Sequence, residues 1–297
     1  MTWLKSPLSL AAGLALLGAM FAMSAAQAAE SALQRITRTG SVVLGYRESS
    51  IPFSYLDENK RPVGYSIDLC RRLVSAIGKQ LKRELKTDTR LVTSANRIDA
   101  VANGQVDLEC GSTTNNAERR SRVAFTVPHF ITSARFMVRA DSPIKLHADL
   151  HRAVVVTTRG TTAEALFRQL NLQSRLEVAP DHAAAFAMLA AGKADAFVMD
   201  DILLASLRAS APDPERYRIL DETYRVEALS IMFSRDDPEL KALVDREMKR
   251  LILDGEAEAI YRQWFERPIP PNGINLRWPI GRLLRNSFRF PSDWAPD

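Results

Sequence analysis

Cysteine is scarce in this chain. Its 297 residues include Cys70 and Cys110 and no others, and since these do not form a C-x-x-C pair, a dithiol redox site is excluded. A strong excess of one charge is also missing: 40 Lys and Arg stand against 35 Asp and Glu, a formal net charge of +5. A nucleic-acid partner needs a basic stripe interleaved with aromatics. Aromatics make up 7% of the chain, and the nearest basic run, Arg119-Arg120-Ser121-Arg122, reads as a solvated helix face. There is no Gly-x-Ser-x-Gly elbow, no phosphate-loop Gly-Lys-Ser/Thr and no Cys-His nucleophile pair. The stretch "HADLH" (147–151) sets His147 and His151 around an acid. It reads as an exposed turn before a strand, so neither a metal nor a cofactor is expected.

A bilayer-spanning run is lacking too. The longest apolar run, residues 8–23, has about 16 residues, which is short for a membrane helix. Lys5 precedes it and Ala26-Gln27-Ala28 follows it, the layout of a secretory signal with an A-x-A cleavage site. Residues 1–28 are therefore expected to be a signal peptide, and the mature chain, from Ala29, an exported protein of the periplasm. Those residues carry Lys5 and no acid, so the mature excess falls from +5 to +4. In an oxidising compartment Cys70 and Cys110 could pair or could stay as buried thiols, and the sequence leaves both open.

What is present is an alternation. "SVVLGY" (41–46), "RLVT" (90–93), "VDLEC" (106–110), "AVVVTT" (153–158), "LEVA" (176–179) and "DAFVMD" (195–200) read as strands. Segments such as 65–77 and 183–191 carry apolar residues at helical spacing between them. The fold class is α/β. Two stretches echo each other: "RLVTSANRIDAVANGQVDLECGS" and "RLEVAPDHAAAFAMLAAGKADAFVMDD" both run strand, polar turn, helix, Gly-x-x-Asp, strand. Helix-stop and turn chemistry alone could produce a Gly-x-x-Asp; repeated over a whole unit, it points to two similar lobes.

The polar clusters fall at equivalent places in both halves. Arg47 follows the first strand, Ser94 and Arg97 the second, and Ser112, Thr114 and Arg119 the third. Thr158, Thr161 and Thr162 follow "AVVVTT", His182 follows "LEVA", and Asp200 ends "DAFVMD". The carboxyl edge of an open parallel sheet is where ligands bind, and helix N-termini there present backbone N–H groups to anions. Taken singly, each residue has a plainer reading: Arg47 and Arg97 as surface ion pairs, His182 as a helix cap, Asp200-Asp201 as a helix start, and Arg119 as surface beside an Asn115/Glu118 capping box.

"CGSTTNNAERRSRVAFTVPHF" and "PVGYSIDLCRRL" resemble the signature segments of the family 3 extracellular solute-binding proteins, the polar amino-acid receptors of ABC importers. The resemblance covers about residues 33–272. Through "GYRESSIPFSY", "TSANRI", "ECGSTTNNAER", "VMDD" and "RPIPPNGINL" it is strongest to the glutamate/aspartate-binding members. The departures are a C-terminal tail rich in Arg, Phe and Trp, and His129 where the wider family often has Tyr.

The resemblance implies a bilobal fold with two crossovers: residues 29–130 and 229–297 as lobe 1, with the tail 280–297, and residues 131–228 as lobe 2. It implies that Arg119 clamps a ligand α-carboxylate with Ser112, Thr114 and Thr162, and that Asp200 pairs with the α-ammonium. Arg47, Ser94, Arg97 and His182 would face a side-chain carboxylate. The expected partners are L-glutamate or L-aspartate and an inner-membrane ABC permease, with the chain a monomer that closes over its ligand about hinges near Phe130 and Val226. Two rivals stand beside this. One is a dehydratase or lyase on the same fold, with Glu48 or Asp200 as general acid or base; the other is the sensing module of a membrane receptor.

Overall fold

The structure is a computed structural model and describes residues 30–170 and 172–293; the signal peptide expected over residues 1–28 lies outside them. Among the described residues no helix is long and apolar enough to cross a membrane.

Two mixed sheets organise the chain. The first runs in the order Lys86–Leu91, Ser41–Tyr46, Leu108–Glu109, Met232–Ser234, Val123–Phe125. Its first three strands are parallel, and Met232–Ser234 enters antiparallel to both neighbours. The second runs Arg175–Ala179, Val154–Thr158, Ala196–Asp200, Phe130–Arg139, Tyr217–Ile219. Strand Arg225–Leu229 also pairs with Phe130–Arg139, placing Leu229 opposite Phe130 and Arg225 opposite Ala134. The chain thus leaves the first sheet along Phe130–Arg139 and returns along Arg225–Leu229, the two crossovers lying antiparallel side by side. This is the bilobal α/β architecture.

The strand interiors are Val, Leu, Ile and Phe because both faces of these sheets are covered by helices. Val155, Val156, Phe197 and Val198 are fully buried. Strand Lys86–Leu91 is the exception. It is a mostly exposed edge strand of polar residues, so apolar pattern could not mark it, and the reading at residues 90–93 caught only its end.

The two echoed stretches fold alike. Helix Arg97–Ala102 stands between Lys86–Leu91 and Leu108–Glu109, and His182–Ala190 stands between Arg175–Ala179 and Ala196–Asp200. Gly104 and Gly192 are both left-handed, at φ 66° and 70°, where a side chain would be strained. The two aspartates then do the same job. Asp107 N–H donates to the Val43 carbonyl while Val43 N–H donates to Asp107 Oδ2. Asp195 N–H donates to the Val154 carbonyl while Val154 N–H donates to Asp195 Oδ2.

Helix Tyr65–Gln80 buries Leu69, Cys70, Leu73 and Ile77. Cys70 forms a disulfide with Cys110, just past the end of Leu108–Glu109, with the Cα atoms 6.2 Å apart. That settles which of the two states left open by the sequence is realised, and it ties the helix to the strand that carries the polar turn. At the crossover, Phe130 stacks on Phe265 and Tyr261 at ring separations of 4.9 and 5.9 Å. The tail folds back as helix Arg282–Arg289, buries Leu284 and Phe288, and touches both helix Pro238–Leu253 and strand Phe130–Arg139.

Candidate functional site

Beyond the carboxyl ends of the strands lies a narrow, closely packed cleft. It is lined by Arg47, Ser94, Arg97, Ser112, Thr114, Arg119, Thr161, Thr162, His182, Met199 and Asp200. The nine residues assigned to the ligand from the resemblance are all in this lining, joined by Thr161 of the polar cluster and by Met199, while Thr158 and Glu48 are not in it. Most stand where a strand has just ended. Arg47 follows Ser41–Tyr46, held by its N–H donating to Ser54 Oγ at 2.8 Å. Arg97 starts helix Arg97–Ala102, and Thr162 starts helix Thr162–Gln169 behind the N-cap Thr161. Arg119 is on the single turn Ala117–Arg120, whose N-cap is Asn116, accepting from Arg119 N–H at 3.0 Å. The capping residue is thus Asn116, and not the Asn115 of the capping-box reading.

The three arginines are buried, at 4%, 2% and 7% exposure for Arg47, Arg97 and Arg119, so the surface readings of each are overturned. None forms an ion pair among the described residues. Neutral acceptors hold them: Arg47 Nη2 donates to Ser94 Oγ, Arg97 Nη1 to the Ser94 carbonyl, and Arg119 Nη1 to the Thr114 carbonyl at 2.9 Å. Arg97 Nη2 and Arg119 Nη2 both reach the Gly160 carbonyl at 3.5 Å. Burial lowers all three guanidinium pKa values, and repulsion from Arg119 adds to this at Arg47 and Arg97. Three cations sharing one desolvated pocket are costly until anions join them.

Asp200 ends strand Ala196–Asp200 at 2% exposure. Burial, and then the charge of Glu227, push its carboxyl well above the usual carboxylate range; a cation placed against it would reverse that. His182 is held neutral, first by burial and then by Arg47 and Arg97. Its Nδ1 lies 2.8 Å from Thr158 Oγ1 while Nε2 has no partner among the described residues. With the Thr158 hydroxyl donating to Nδ1, Nε2 carries the proton and is a donor.

Two acids escaped the sequence reading. Glu109 is fully buried, accepts from Thr113 Oγ1 at 2.7 Å, and leaves Oε1 without a partner. A Cβ on Gly111 would stand 2.2 Å from that oxygen and 2.9 Å from Arg47 Cγ, so any larger residue there would push both side chains aside. Glu227, on Arg225–Leu229, accepts from the hydroxyls of Thr114 and Thr162 at 2.6 and 2.7 Å. Glu109 ends the two-residue strand Leu108–Glu109 and Glu227 is the middle of Arg225–Leu229; in sequence each reads as the polar member of an alternating strand, which gives no sign of burial.

Three guanidiniums and a buried acid gathered in one cleft have the charges to complement a zwitterion. His147 and His151 stand apart from it. His147 is in the short 3-10 turn His147–Leu150 and contacts Glu222 instead, and among the described residues no group of three or more metal-ligating side chains occurs.

Residues 42–267 match the family model of bacterial extracellular solute-binding proteins, family 3. The chain is 40% identical over 293 residues to a glutamate/aspartate import solute-binding protein of Escherichia coli strain K12, covering 97% of this chain and 95% of that one. It is 41% identical over 271 residues to an L-glutamate/L-aspartate-binding protein of Pseudomonas aeruginosa, covering 89% and 90%. Among solved structures, a mutant of ArgBP from T. maritima superposes with a TM-score of 0.72 at 23% identity, over 78% of this chain and 98% of that one. An ancestral amino acid-binding protein, a precursor of cyclohexadienyl dehydratase, superposes with a TM-score of 0.71 at 26% identity, over 80% and 100%. The chain belongs to the bacterial extracellular solute-binding proteins, family 3.

Proposed function

We propose that this protein is the periplasmic solute-binding component of an ABC-type importer and that its ligands are L-glutamate and L-aspartate. The observation that carries the reading is the trio Arg47, Arg97 and Arg119, buried in one pocket without ion-pair partners among the described residues. An acidic amino acid brings two carboxylates and one ammonium. Three guanidiniums opposite Asp200 complement that pattern; a neutral amide side chain would leave a buried cation unpaired, at a cost of about 3 to 5 kcal/mol.

In this reading Arg119, with Ser112 and with the backbone N–H groups of Thr114 and Thr162, whose hydroxyls are donated to Glu227, takes the α-carboxylate, and Asp200 takes the α-ammonium. Arg47, Ser94, Arg97 and His182 take the side-chain carboxylate. Capture involves no chemistry, and the binding proteins that are 40% and 41% identical to the chain support this over a dehydratase or lyase. The lobes are residues 29–130 with 229–297, and residues 131–228. Phe130 stacks in an aromatic cluster while Val226 is 42% exposed, which supports pivots near Phe130 and Val226. Ligand docks on one lobe, the other rotates over it, and the closed monomer engages an inner-membrane permease.

Calorimetric titration of refolded, ligand-stripped protein against the common amino acids tests the ligand. Glutamate and aspartate should bind far more tightly than glutamine, asparagine, arginine or lysine; glutamine equal to glutamate would sink the reading. Solution scattering should give a smaller radius of gyration with glutamate present.

A further inference from the structure

Glu227 is a carboxylate in the middle of the return crossover, 2% exposed, and it does not line the cavity. Its Oε2 receives the hydroxyl protons of Thr114 and Thr162, whose oxygens are 3.4 Å from each other. The hydroxyls come from different halves of the molecule. Thr114 lies in the turn after the first-sheet strand Leu108–Glu109, and it bridges Leu229. Thr162 opens helix Thr162–Gln169, which packs on the second-sheet strands Val154–Thr158 and Ala196–Asp200.

A buried carboxylate is tolerable only while hydrogen-bonded, and bonds donated to an anion are roughly twice as strong as neutral ones. Here both donors converge on one oxygen, so a rotation that parts the sheets must withdraw at least one of them. The same convergence bears on the cavity from behind. Thr114, whose hydroxyl Glu227 holds, accepts from Arg119 Nη1 through its carbonyl, at 2.9 Å.

We propose that Glu227 is a positioning residue that latches the two lobes in the closed state, and that it sets how long a ligand is held without touching it. This deepens the function proposed above and rests on closure around a bound amino acid. Capture on the open protein does not need the latch, and escape from the closed one does. Glu227 therefore acts on the dissociation rate and not on the association rate.

The test is stopped-flow kinetics and scattering on the full chain with L-glutamate and L-aspartate, comparing the wild type with Glu227→Gln, Thr162→Val and the double variant. Glu227→Gln should leave association unchanged and speed dissociation roughly tenfold for both ligands, the order expected when charge-assisted hydrogen bonds become neutral ones. At saturating ligand the variant should also show a larger radius of gyration than the wild type, which the loss of a simple ligand contact would not produce. The double variant should dissociate no faster than the more affected single variant.

Equal dissociation rates, or losses that simply add in the double variant, overturn the latch. If Glu227→Gln lowers the melting temperature, Thr162→Val alone carries the test, and an unchanged dissociation rate in it overturns the latch as well. A wild type that ignores both acidic ligands refutes the ligand assignment instead; the same comparison then runs with whichever amino acid it does bind.

Discussion

Arg97 reaches out of its own helix to the carbonyl of Gly160, Nη2 standing 3.5 Å from the oxygen. A first-sheet guanidinium thereby meets the backbone of the loop after a second-sheet strand. Gly160 makes this approach possible. Its φ is +72°, and a Cβ there would lie 2.7 Å from the Ser94 carbonyl oxygen and 2.8 Å from Ala95 Cα. Gly160→Ala should therefore prop the lobes apart. We expect weaker glutamate binding and a larger radius of gyration at saturation, with a melting temperature lowered only by the cost of a left-handed alanine, about 1 kcal/mol. Unchanged affinity would mean that the lobes do not need this contact to close.

The arginines should separate by role. Arg119→Ala removes the partner of a group every amino acid carries, so it should weaken every accepted ligand. Arg47→Met and Arg97→Met remove a charge needed only by an acidic side chain. Each should cost glutamate about 3 kcal/mol, roughly a hundredfold in affinity, and change the weak binding of glutamine much less. Titration of both ligands against the three variants, after melting curves show that each is folded, decides it. A uniform loss with an unchanged glutamate-to-glutamine ratio would mean the two carboxylate pockets are misassigned.

Acid should destabilise the ligand-free protein through His129. Burial pushes its imidazole down to about 3, and neither ring nitrogen has a partner among the described residues, whereas in the unfolded chain it titrates near ~6.5. Below ~6.5 the unfolded state gains a proton that the folded state refuses, so stability present above ~6.5 is lost as pH falls toward ~3, by up to about 1.4 kcal/mol per pH unit. His182 is depressed in the same direction, so His129→Phe should flatten the slope of stability against pH without abolishing it. Denaturant melts between pH 7 and pH 4 would show this; parallel slopes for the two proteins would rule it out.

Opening the Cys70–Cys110 bridge should cost stability more than function. The bridge spans a sequence separation of 40, and closing a loop of that length is worth about 4 kcal/mol at most on the chain-entropy account. The paired Cys70→Ser, Cys110→Ser variant should melt well below the wild type yet still bind glutamate at low temperature. A melting temperature equal to that of the wild type would show that packing of helix Tyr65–Gln80 suffices on its own.

The parts of this molecule that were legible in its sequence are those where one local rule decides the outcome. Apolar strands buried on both faces announce themselves, and the residues that follow them face a common edge, so Arg47, Arg97, Arg119, His182 and Asp200 could be placed before any coordinate was known. The echo around Asp107 and Asp195 was legible because a turn that returns a strand to its sheet needs the same glycine and the same acceptor each time. Lys86–Leu91 was missed in large part because an exposed edge strand has no apolar face to display. Glu109 and Glu227 were missed for the opposite reason: in a strand they look like solvent-facing alternation, and only tertiary packing buries them. The partnership of Cys70 and Cys110 depends on how a helix is laid across a strand end, which no spacing encodes.

The disulfide also makes this chain a clean substrate for thiol chemistry. Both cysteines are spent on it, and no free cysteine remains. A single engineered cysteine would be the sole point of attachment for a maleimide dye. Leu283 is 55% exposed on a helix that touches helix Pro238–Leu253 and the crossover strand Phe130–Arg139, so a fluorophore at that position would sit beside the crossover and could serve as the reporter of an optical amino-acid sensor.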